Sequence, residues 1–217
     1  MDRFQDRRDA GRQLARKLSK YTDRSDVLVL ALPRGGVPVA YEVALTIHAP
    51  LDVFIVRKLG LPGKEELAIG AIASGGTRIL NEDIVQALAI DPAVINAITE
   101  RESKEVERRE RQYRGDRPAP DVRDRTVILI DDGLATGASM LAAVHGLRAR
   151  QPARIVVAVP AAAPQAIRLL QPEVSEAHYV IAPEPFEGVG KWFEDFRQTT
   201  DEEVQTLLRE ANRNLSS

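Results

Sequence analysis

The feature that most constrains the fold of this chain is a set of short, nearly unbroken apolar runs separated by longer mixed segments. Such runs are typical of strands that are buried on both faces of a sheet. The clearest are Val27–Leu32, Leu51–Val56, Thr126–Ile130 and Arg154–Val159, and Glu176–Ile181 is predicted to form a last strand. Because strands that alternate with helices form right-handed βαβ units, the sequence predicts an α/β fold with a Rossmann-like, mainly parallel sheet flanked by helices.

Helical segments lie between these runs. Arg7–Ser19 carries apolar residues at helical spacing, and Val37–Ile47 and Ser139–Arg150 are predicted as helices between strands. Asn81 can cap a short helix. Asp91-Pro92 is a strong helix start, since aspartate can cap a helix and proline suits its first position, and this helix is predicted to end near residue 114. The segment Thr200-Asp201-Glu202-Glu203 has the pattern of a capping box that opens a C-terminal helix.

Composition excludes several classes of function. The formal net charge of −2 does not favour a general nucleic-acid or anionic-membrane surface, and the absence of cysteine excludes disulfides and thiolate metal sites. The three histidines show no metal-ligand spacing, and no apolar stretch is long enough to span a membrane or to resemble a secretory signal. We therefore expect residues 1–217 to form a single cytoplasmic domain that binds small molecules, with nucleic acid an unlikely partner.

The most informative segment is Val127–Ser139. Its apolar residues deliver two adjacent carboxylates, Asp131 and Asp132, to the end of a predicted strand, and a short turn containing Gly137 then opens a helix. Unpaired N–H groups at a helix start favour an anion such as phosphate. Two carboxylates beside that cradle would repel a second phosphate but suit a sugar diol, whose hydroxyl protons they can accept. The alternative is an ordinary strand, turn and helix cap.

Other phosphate motifs do not fit this segment, because it has neither the lysine of a P-loop nor the spaced glycines of a dinucleotide fingerprint. It resembles the 5-phosphoribosyl-1-pyrophosphate signature of type I phosphoribosyltransferases. In that family the two acids, here Asp131 and Asp132, hold the ribose 2′ and 3′ hydroxyls, and the following loop holds the 5′-phosphate. The loop residues of this sequence are Ala135, Thr136, Gly137, Ala138 and Ser139.

The turn after the first predicted strand is Leu32-Pro33-Arg34-Gly35-Gly36. Paired glycines tolerate backbone conformations that are closed to other residues, and Arg34 adds a permanent cation. The turn resembles the pyrophosphate loop of the family, which often contains a cis peptide bond before a residue other than proline. The resemblance implies that Arg34, Gly35 and Gly36 bind pyrophosphate, whereas the alternative is a strand-to-helix turn with a surface arginine.

The polar segment Arg57–Glu66 is predicted to be a loop, followed by a hairpin of Leu67–Ala73 and Thr77–Leu80. Its position resembles the mobile loop that closes over the active centre in this family. The resemblance implies that Arg57 and Lys58 neutralise departing pyrophosphate. A solvated charged loop is the alternative.

The position before Thr136 separates branches of the family. Hypoxanthine-guanine enzymes have an aspartate there, which is the proposed base, whereas this sequence has Ala135. A general base would therefore come from elsewhere, and Glu65 and Glu66 are the candidates.

Two further segments extend the predicted domain. A hood of about residues 182–199 loosely resembles that of purine enzymes, and Phe186 and Val189 are predicted to contact the acceptor. A helical insertion of about residues 81–117 contains the arginine-rich stretch Glu100–Arg117. Such a stretch is typical of a solvated helix face with i,i+4 ion pairs, and contact with RNA or a partner subunit is the alternative.

The resemblance spans about Phe4 to the C-terminal helix. It implies Mg²⁺-dependent transfer of ribose 5-phosphate from 5-phosphoribosyl-1-pyrophosphate to a small-molecule acceptor, for which a nucleobase is one candidate. We expect Asp131, Asp132, Arg34 and Lys58 to form the catalytic set. Mg²⁺ would be held by ligand and water with no direct protein ligand, unless Asp131 and Asp132 approach it. A regulator that senses the same ligand and binds RNA or protein is the alternative function, and a homodimer is an open assembly state.

Overall fold

The computed structural model describes residues 3–214, except for the side chains of residues 65, 66 and 214. In chain order the elements are α1 (Arg7–Lys17), β1 (Val27–Ala31), α2 (Gly36–Ile47), β2 (Leu51–Val53), β3 (Val56–Leu61), β4 (Lys64–Ala73), β5 (Thr77–Leu80), α3 (Glu82–Ala87), α4 (Pro92–Arg114), β6 (Thr126–Ile130), α5 (Ala138–Arg148), β7 (Arg154–Ala161), α6 (Pro164–Leu170), β8 (Glu176–Ile181) and α7 (Asp201–Asn214). Short 3₁₀ turns occupy Ser19–Tyr21, Gln171–Glu173 and Val189–Trp192.

The central sheet is parallel, with five strands in the order β2-β1-β6-β7-β8. Alternate side chains of each strand enter two different apolar clusters. Val27 and Val29 of β1 pack with α1, α2 and α7, whereas Leu28 and Leu30 pack on the opposite face with α5 and α6. Burial on both faces accounts for the unbroken apolar runs. The predicted Rossmann-like α/β fold is therefore confirmed.

The helix starts follow the predicted capping chemistry. The side chain of Asn81 accepts the N–H of Ile84 at the start of α3, and that of Asp91 accepts the N–H of Ala93 at the start of α4. Thr200 accepts the N–H of Glu203 and opens α7. Within residues 3–214, no helix combines the length and the apolar character needed to cross a membrane.

The segment after β2 differs from the prediction. The second strand ends at Val53, and Arg57 and Lys58 lie in β3, which pairs with β4 in an antiparallel hairpin rather than forming a loop. Leu59 is buried while Lys58 is exposed, so Lys58 marks the solvated face of the strand, and Arg57 lies on the same face as Leu59. The later hairpin of β4 and β5 is confirmed.

The β3–β4 ladder is irregular in its outer part. The pairing register shifts on both sides of Gly60, between Leu59 and Leu61. Beyond this point the hairpin turns at residues 62 and 63, where Gly63 has a φ of 77°. A register shift of this kind bends a strand locally and interrupts its hydrogen bonds.

Helix α4 is fastened to both sheets. The buried carboxylate of Glu102 accepts a hydrogen bond from Nε of Arg57 on β3, at 2.9 Å. Near the other end of the helix, Nε of Arg114 lies 3.0 Å from Oδ2 of Asp52 on β2, and both side chains are less than 10% exposed. The predicted helical insertion is thus tied to the neighbouring strands by two ion pairs.

Candidate functional site

The acid pair follows β6 directly, at the carboxyl edge of the parallel sheet. Oδ1 of Asp131 accepts the backbone N–H of Asp132 at 2.8 Å, and both side chains are largely buried. Burial, aided by the neighbouring Asp132 carboxylate, raises the pKa of Asp131 well above its ordinary value. Burial also raises the pKa of Asp132, although the charge of Arg7 opposes this shift. The site therefore concentrates acceptor groups that are costly to ionise without a partner.

The turn at Arg34 packs against these acids. A Cβ built on Gly35 would lie 2.1 Å from Oδ2 of Asp132, and one built on Gly36 would lie 2.9 Å from Cα of Asp131. Gly35 has ordinary helical angles, with φ −59° and ψ −32°. Close approach of the acid loop, rather than an unusual backbone conformation, is therefore what requires glycine here. The peptide bond between Pro33 and Arg34 is cis, as in the loop that the turn resembles.

Arg7, at the start of α1, was not identified from the sequence as a site residue. Its Nε and Nη2 lie 2.9 and 2.8 Å from Oδ2 of Asp132, and its Nη1 donates to the backbone carbonyl of Arg197 at 2.6 Å. The guanidinium also stacks on Phe196, at 3.9 Å from the ring centroid. Only the folded chain brings Arg7 to Asp132, across 125 positions of sequence, so no local pattern could have indicated this contact.

The turn between Asp132 and α5 is the segment predicted to cradle phosphate. Leu134 anchors it by backbone hydrogen bonds to the end of β7, and Gly137 supplies a φ of 80° at the helix start. Ala135, Thr136, Ala138 and Ser139 are exposed. The hydroxyl of Thr136 accepts the N–H of Ala138 at 3.4 Å, a long hydrogen bond. The first amides of α5 therefore face an accessible surface, as anion binding requires.

Arg34 points to a polar cluster formed with α4 and α7. Its Nη1 lies 3.7 Å from Oδ1 of Asp201, which also accepts the hydroxyl of Tyr113 at 2.5 Å. Burial and this hydrogen bond raise the pKa of Tyr113 to about 12. These residues, with Arg108 and Arg109, line a cavity of about 180 Å³. Arg34 is thus loosely paired with Asp201 and lies near the cationic side chains of Arg108 and Arg109.

The two cations predicted after the second strand lie in different surroundings. Arg57 is held by Glu102 of α4, whereas Lys58 is exposed and lines a cavity of about 440 Å³. Ala138 and His145 of α5 line the same cavity, so Lys58 lies on the side of the hairpin that faces the phosphate cradle. The side chains of Glu65 and Glu66 lie outside the described part of the structure, and their role as a base stays a prediction.

The predicted acceptor residues pack inside the hood. Phe186 is half-buried against the aromatic cluster of Phe4 and Phe193, and Val189 packs so closely that a Cβ on Gly133 would lie 2.4 Å from its Cγ1. A cavity of about 440 Å³ opens elsewhere along the hood, with Arg7, Asp195 and Arg197 among its lining residues. The acceptor role of Phe186 and Val189 stays a prediction.

The arginine-rich face of α4 forms ion pairs within its own helix. Arg108 and Arg109 both bind Glu105, at 2.7 Å each, and their hydrogen bonds lower the pKa of that carboxyl to about 2. Two further exposed i,i+4 pairs lie along the same helix, namely Lys104–Glu100 and Arg111–Glu107, whereas the pair of Arg114 and Glu110 is largely buried. This pattern agrees with the solvated helix face that the sequence predicts.

Comparisons with known proteins show which family the chain resembles. The profile described as the phosphoribosyl transferase domain matches residues 2–176. The crystal structure of TT1426 from Thermus thermophilus superposes with a TM-score of 0.85 at 41% sequence identity, and covers 96% of this chain and 98% of that chain.

Two Mycobacterium tuberculosis proteins, from strains CDC 1551 and H37Rv, are each 41% identical to the chain over 216 residues. Each is named as a phosphoribosyl transferase, with the name marked as provisional. Their alignment covers all of this chain and 48% of each relative, so the chain spans about half the length of the curated relatives it matches. Because the profile covers most of the sequence and the relatives cover all of it, this chain belongs to the phosphoribosyl transferase family.

Proposed function

We propose that this chain transfers ribose 5-phosphate from 5-phosphoribosyl-1-pyrophosphate to a small nucleophile and releases pyrophosphate. The carrying observation is the continuity of one segment: the partly buried acid pair Asp131 and Asp132 leads directly into the exposed, glycine-started turn of α5. Acceptors for a diol and donors for a phosphate then lie at the two ends of a single turn. The identity of the acceptor is left open, and a nucleobase nitrogen is the first class to test.

In this proposal the protein acts mainly by positioning charge. Asp131 and Asp132 accept hydrogen bonds from the ribose hydroxyls, and the amides and hydroxyls of residues 135–139 hold the 5′-phosphate. The ribose is thereby fixed while positive charge develops at its anomeric carbon, next to two carboxylates. Arg34 and Lys58 supply cations for the pyrophosphate as its bond to the ribose breaks.

The protein side chains near the acid pair suit a Mg²⁺ ion that is bound mainly by the substrate and water. Within the described residues, no group of three or more His, Asp or Glu side chains could form a metal cage. Oδ2 of Asp132 is already bound by Arg7, and Oδ1 of Asp131 is bound by a backbone amide. Mg²⁺ retains waters and commonly uses substrate phosphates, so the ion would neutralise pyrophosphate while Asp131 and Asp132 approach it through water.

Calorimetry with the donor and Mg²⁺ tests this proposal. The double variant Asp131→Asn with Asp132→Asn should bind the donor more than tenfold more weakly, because hydrogen bonds to a charged acceptor contribute about 1.5 to 3 kcal/mol each. Donor-dependent pyrophosphate release should then be screened over nucleobases and small amines. Unchanged donor affinity in a folded double variant would refute the assignment of the acid pair.

A further inference from the structure

Arg7 holds Asp132 with a guanidinium that is itself largely buried. Its side chain is only 11% exposed, and its three donor atoms are divided between one carboxylate oxygen and one hood carbonyl. Ordering a long arginine side chain costs conformational entropy. The stack on Phe196, two hydrogen bonds and the ion pair with Asp132 offset that cost, so the guanidinium has one defined position.

The two oxygens of Asp132 are left in different surroundings. Oδ2 receives both Nε and Nη2 of Arg7 and lies so close to Gly35 that no Cβ would fit there. Among the described residues, no side chain donates a hydrogen bond to Oδ1 of Asp132. The carboxylate is therefore fixed in rotation, with one oxygen enclosed and the other free to accept.

We propose that Arg7 is a positioning residue for the donor sugar: it turns Asp132 so that Oδ1 accepts one hydroxyl of the ribose. This inference rests on the proposed function, because it concerns how the same acid binds the same ligand. Arg7 itself does not need to touch the donor. It acts through Asp132, because it fixes the orientation of that carboxylate and favours its charged form.

Electrostatics support the same role. Asp132 faces the carboxyl group of Asp131 on its own loop and the guanidinium of Arg7 from α1. Arg7 favours the charged form of Asp132 against the effect of burial. A charged acceptor makes stronger hydrogen bonds than a neutral carboxyl, and its two oxygens remain pure acceptors. The planar guanidinium of arginine, with several N–H donors in fixed directions, orients the Asp132 carboxylate better than the single ammonium group of lysine would.

Sugar phosphates that lack one hydroxyl provide a direct test. Dissociation constants would be measured by calorimetry for ribose 5-phosphate, 2-deoxyribose 5-phosphate and 3-deoxyribose 5-phosphate. Wild-type protein should bind ribose 5-phosphate at least about tenfold more tightly than the analogue that lacks the hydroxyl accepted by Asp132. Arg7→Gln should retain binding through the 5′-phosphate but lose most of that ratio, and Arg7→Lys should be intermediate.

Arg12→Gln is the matched control. Arg12 lies on the same helix, is 50% exposed, and has only long ion pairs of 3.9 and 3.7 Å, so its loss should leave the ratio unchanged. A full ratio in folded Arg7→Gln, with wild-type behaviour in the control, would overturn the inference and leave the proposed function intact. If Arg7→Gln does not fold by circular dichroism, an unchanged ratio in Arg7→Lys overturns it. Failure of wild-type protein to bind ribose 5-phosphate would refute the proposed function itself.

Discussion

Asp132 folds back over Gly35 so closely that its Oδ2 occupies the space in which any larger residue would place its Cβ, 2.1 Å away. The acid loop after β6 and the turn after β1 are therefore one packed unit. Their contact links the proposed ribose and pyrophosphate subsites without any shared ligand.

Replacing the two adjacent glycines should separate binding from stability. Gly35→Ala would displace the end of a carboxylate side chain, so we expect donor affinity to fall about tenfold or more with a small change in melting temperature. Gly36→Ala would meet backbone atoms, the carbonyl oxygen of Ile130 at 2.7 Å and Cα of Asp131 at 2.9 Å, which cannot move as easily. It should lower stability by about 1 to 3 kcal/mol. Calorimetry and thermal unfolding of both variants test this contrast, and equal losses of stability would contradict it.

Asp131→Asn should stabilise the ligand-free protein while it weakens donor binding. The pKa of Asp131 is raised in the folded state, so its contribution to stability is complete below the ordinary value of 3.8 and is lost as the pH rises through the folded value. Asp132, whose pKa shifts in the same direction, and Arg7 face the same group. At pH 7 we expect the variant to melt higher by on the order of 3 °C, or about 1 kcal/mol in a domain of this size.

The difference in melting temperature between Asp131→Asn and wild-type protein should widen from pH 4 to pH 8. Thermal unfolding across this range measures it. A constant difference would mean that Asp131 does not titrate with a raised pKa. Other carboxyls, such as Glu176 with a pKa lowered to about 2, affect both proteins equally and cancel in the comparison.

Arg34→Ala should weaken binding of pyrophosphate and of the full donor about tenfold, but leave ribose 5-phosphate nearly unaffected. Arg34 is one-third exposed and only loosely paired with Asp201, so its guanidinium can reach a new anion. Calorimetry with the three ligands separates the subsites. Arg111→Ala is the control, since that side chain is 81% exposed and pairs with Glu107 on its own helix. Equal weakening of ribose 5-phosphate by Arg34→Ala would show that the subsites are wrongly assigned.

Asp52→Asn should destabilise the fold by about 3 kcal/mol, because it leaves the buried guanidinium of Arg114 without its main partner. Glu110, 3.6 Å away, compensates only in part. Urea unfolding measures the change, and Glu107→Gln, which removes an exposed partner 3.5 Å from Arg111, should change stability by less than about 0.5 kcal/mol. Similar small effects for both variants would indicate that the buried pair adds little to the docking of α4.

The sequence predicts the fold wherever local pattern and burial agree. Strands such as Thr126–Ile130 are buried on both faces, so their apolar runs identify them, and the caps at Asn81, Asp91 and Thr200 identify helix starts. The loop predicted around Lys58 was wrong because a strand with one solvated face carries the same polar residues as a loop.

Some residues of the candidate site could likewise be predicted from the sequence, and others could not. The acids and the phosphate turn are contiguous in the sequence, so a single segment predicts them. Arg7 is contributed by a distant helix and interacts through geometry alone, and the ordinary helical angles of Gly35 show that the need for glycine came from a neighbour rather than from its own backbone. Such contacts become visible only when the elements are assembled.

The attachment of α4 determines where the β3–β4 hairpin can bend. Glu102 holds Arg57 at the base of the hairpin, while the ladder loses its register at Gly60, three residues further on. We therefore expect the base of the hairpin to stay fixed and the outer hairpin, beyond Gly60, to bend. We expect a bend at Gly60 to carry residues 61–64 over the sheet edge while Lys58 stays in place, so that neutralisation of pyrophosphate by Lys58 and enclosure of the ligand would be separate events.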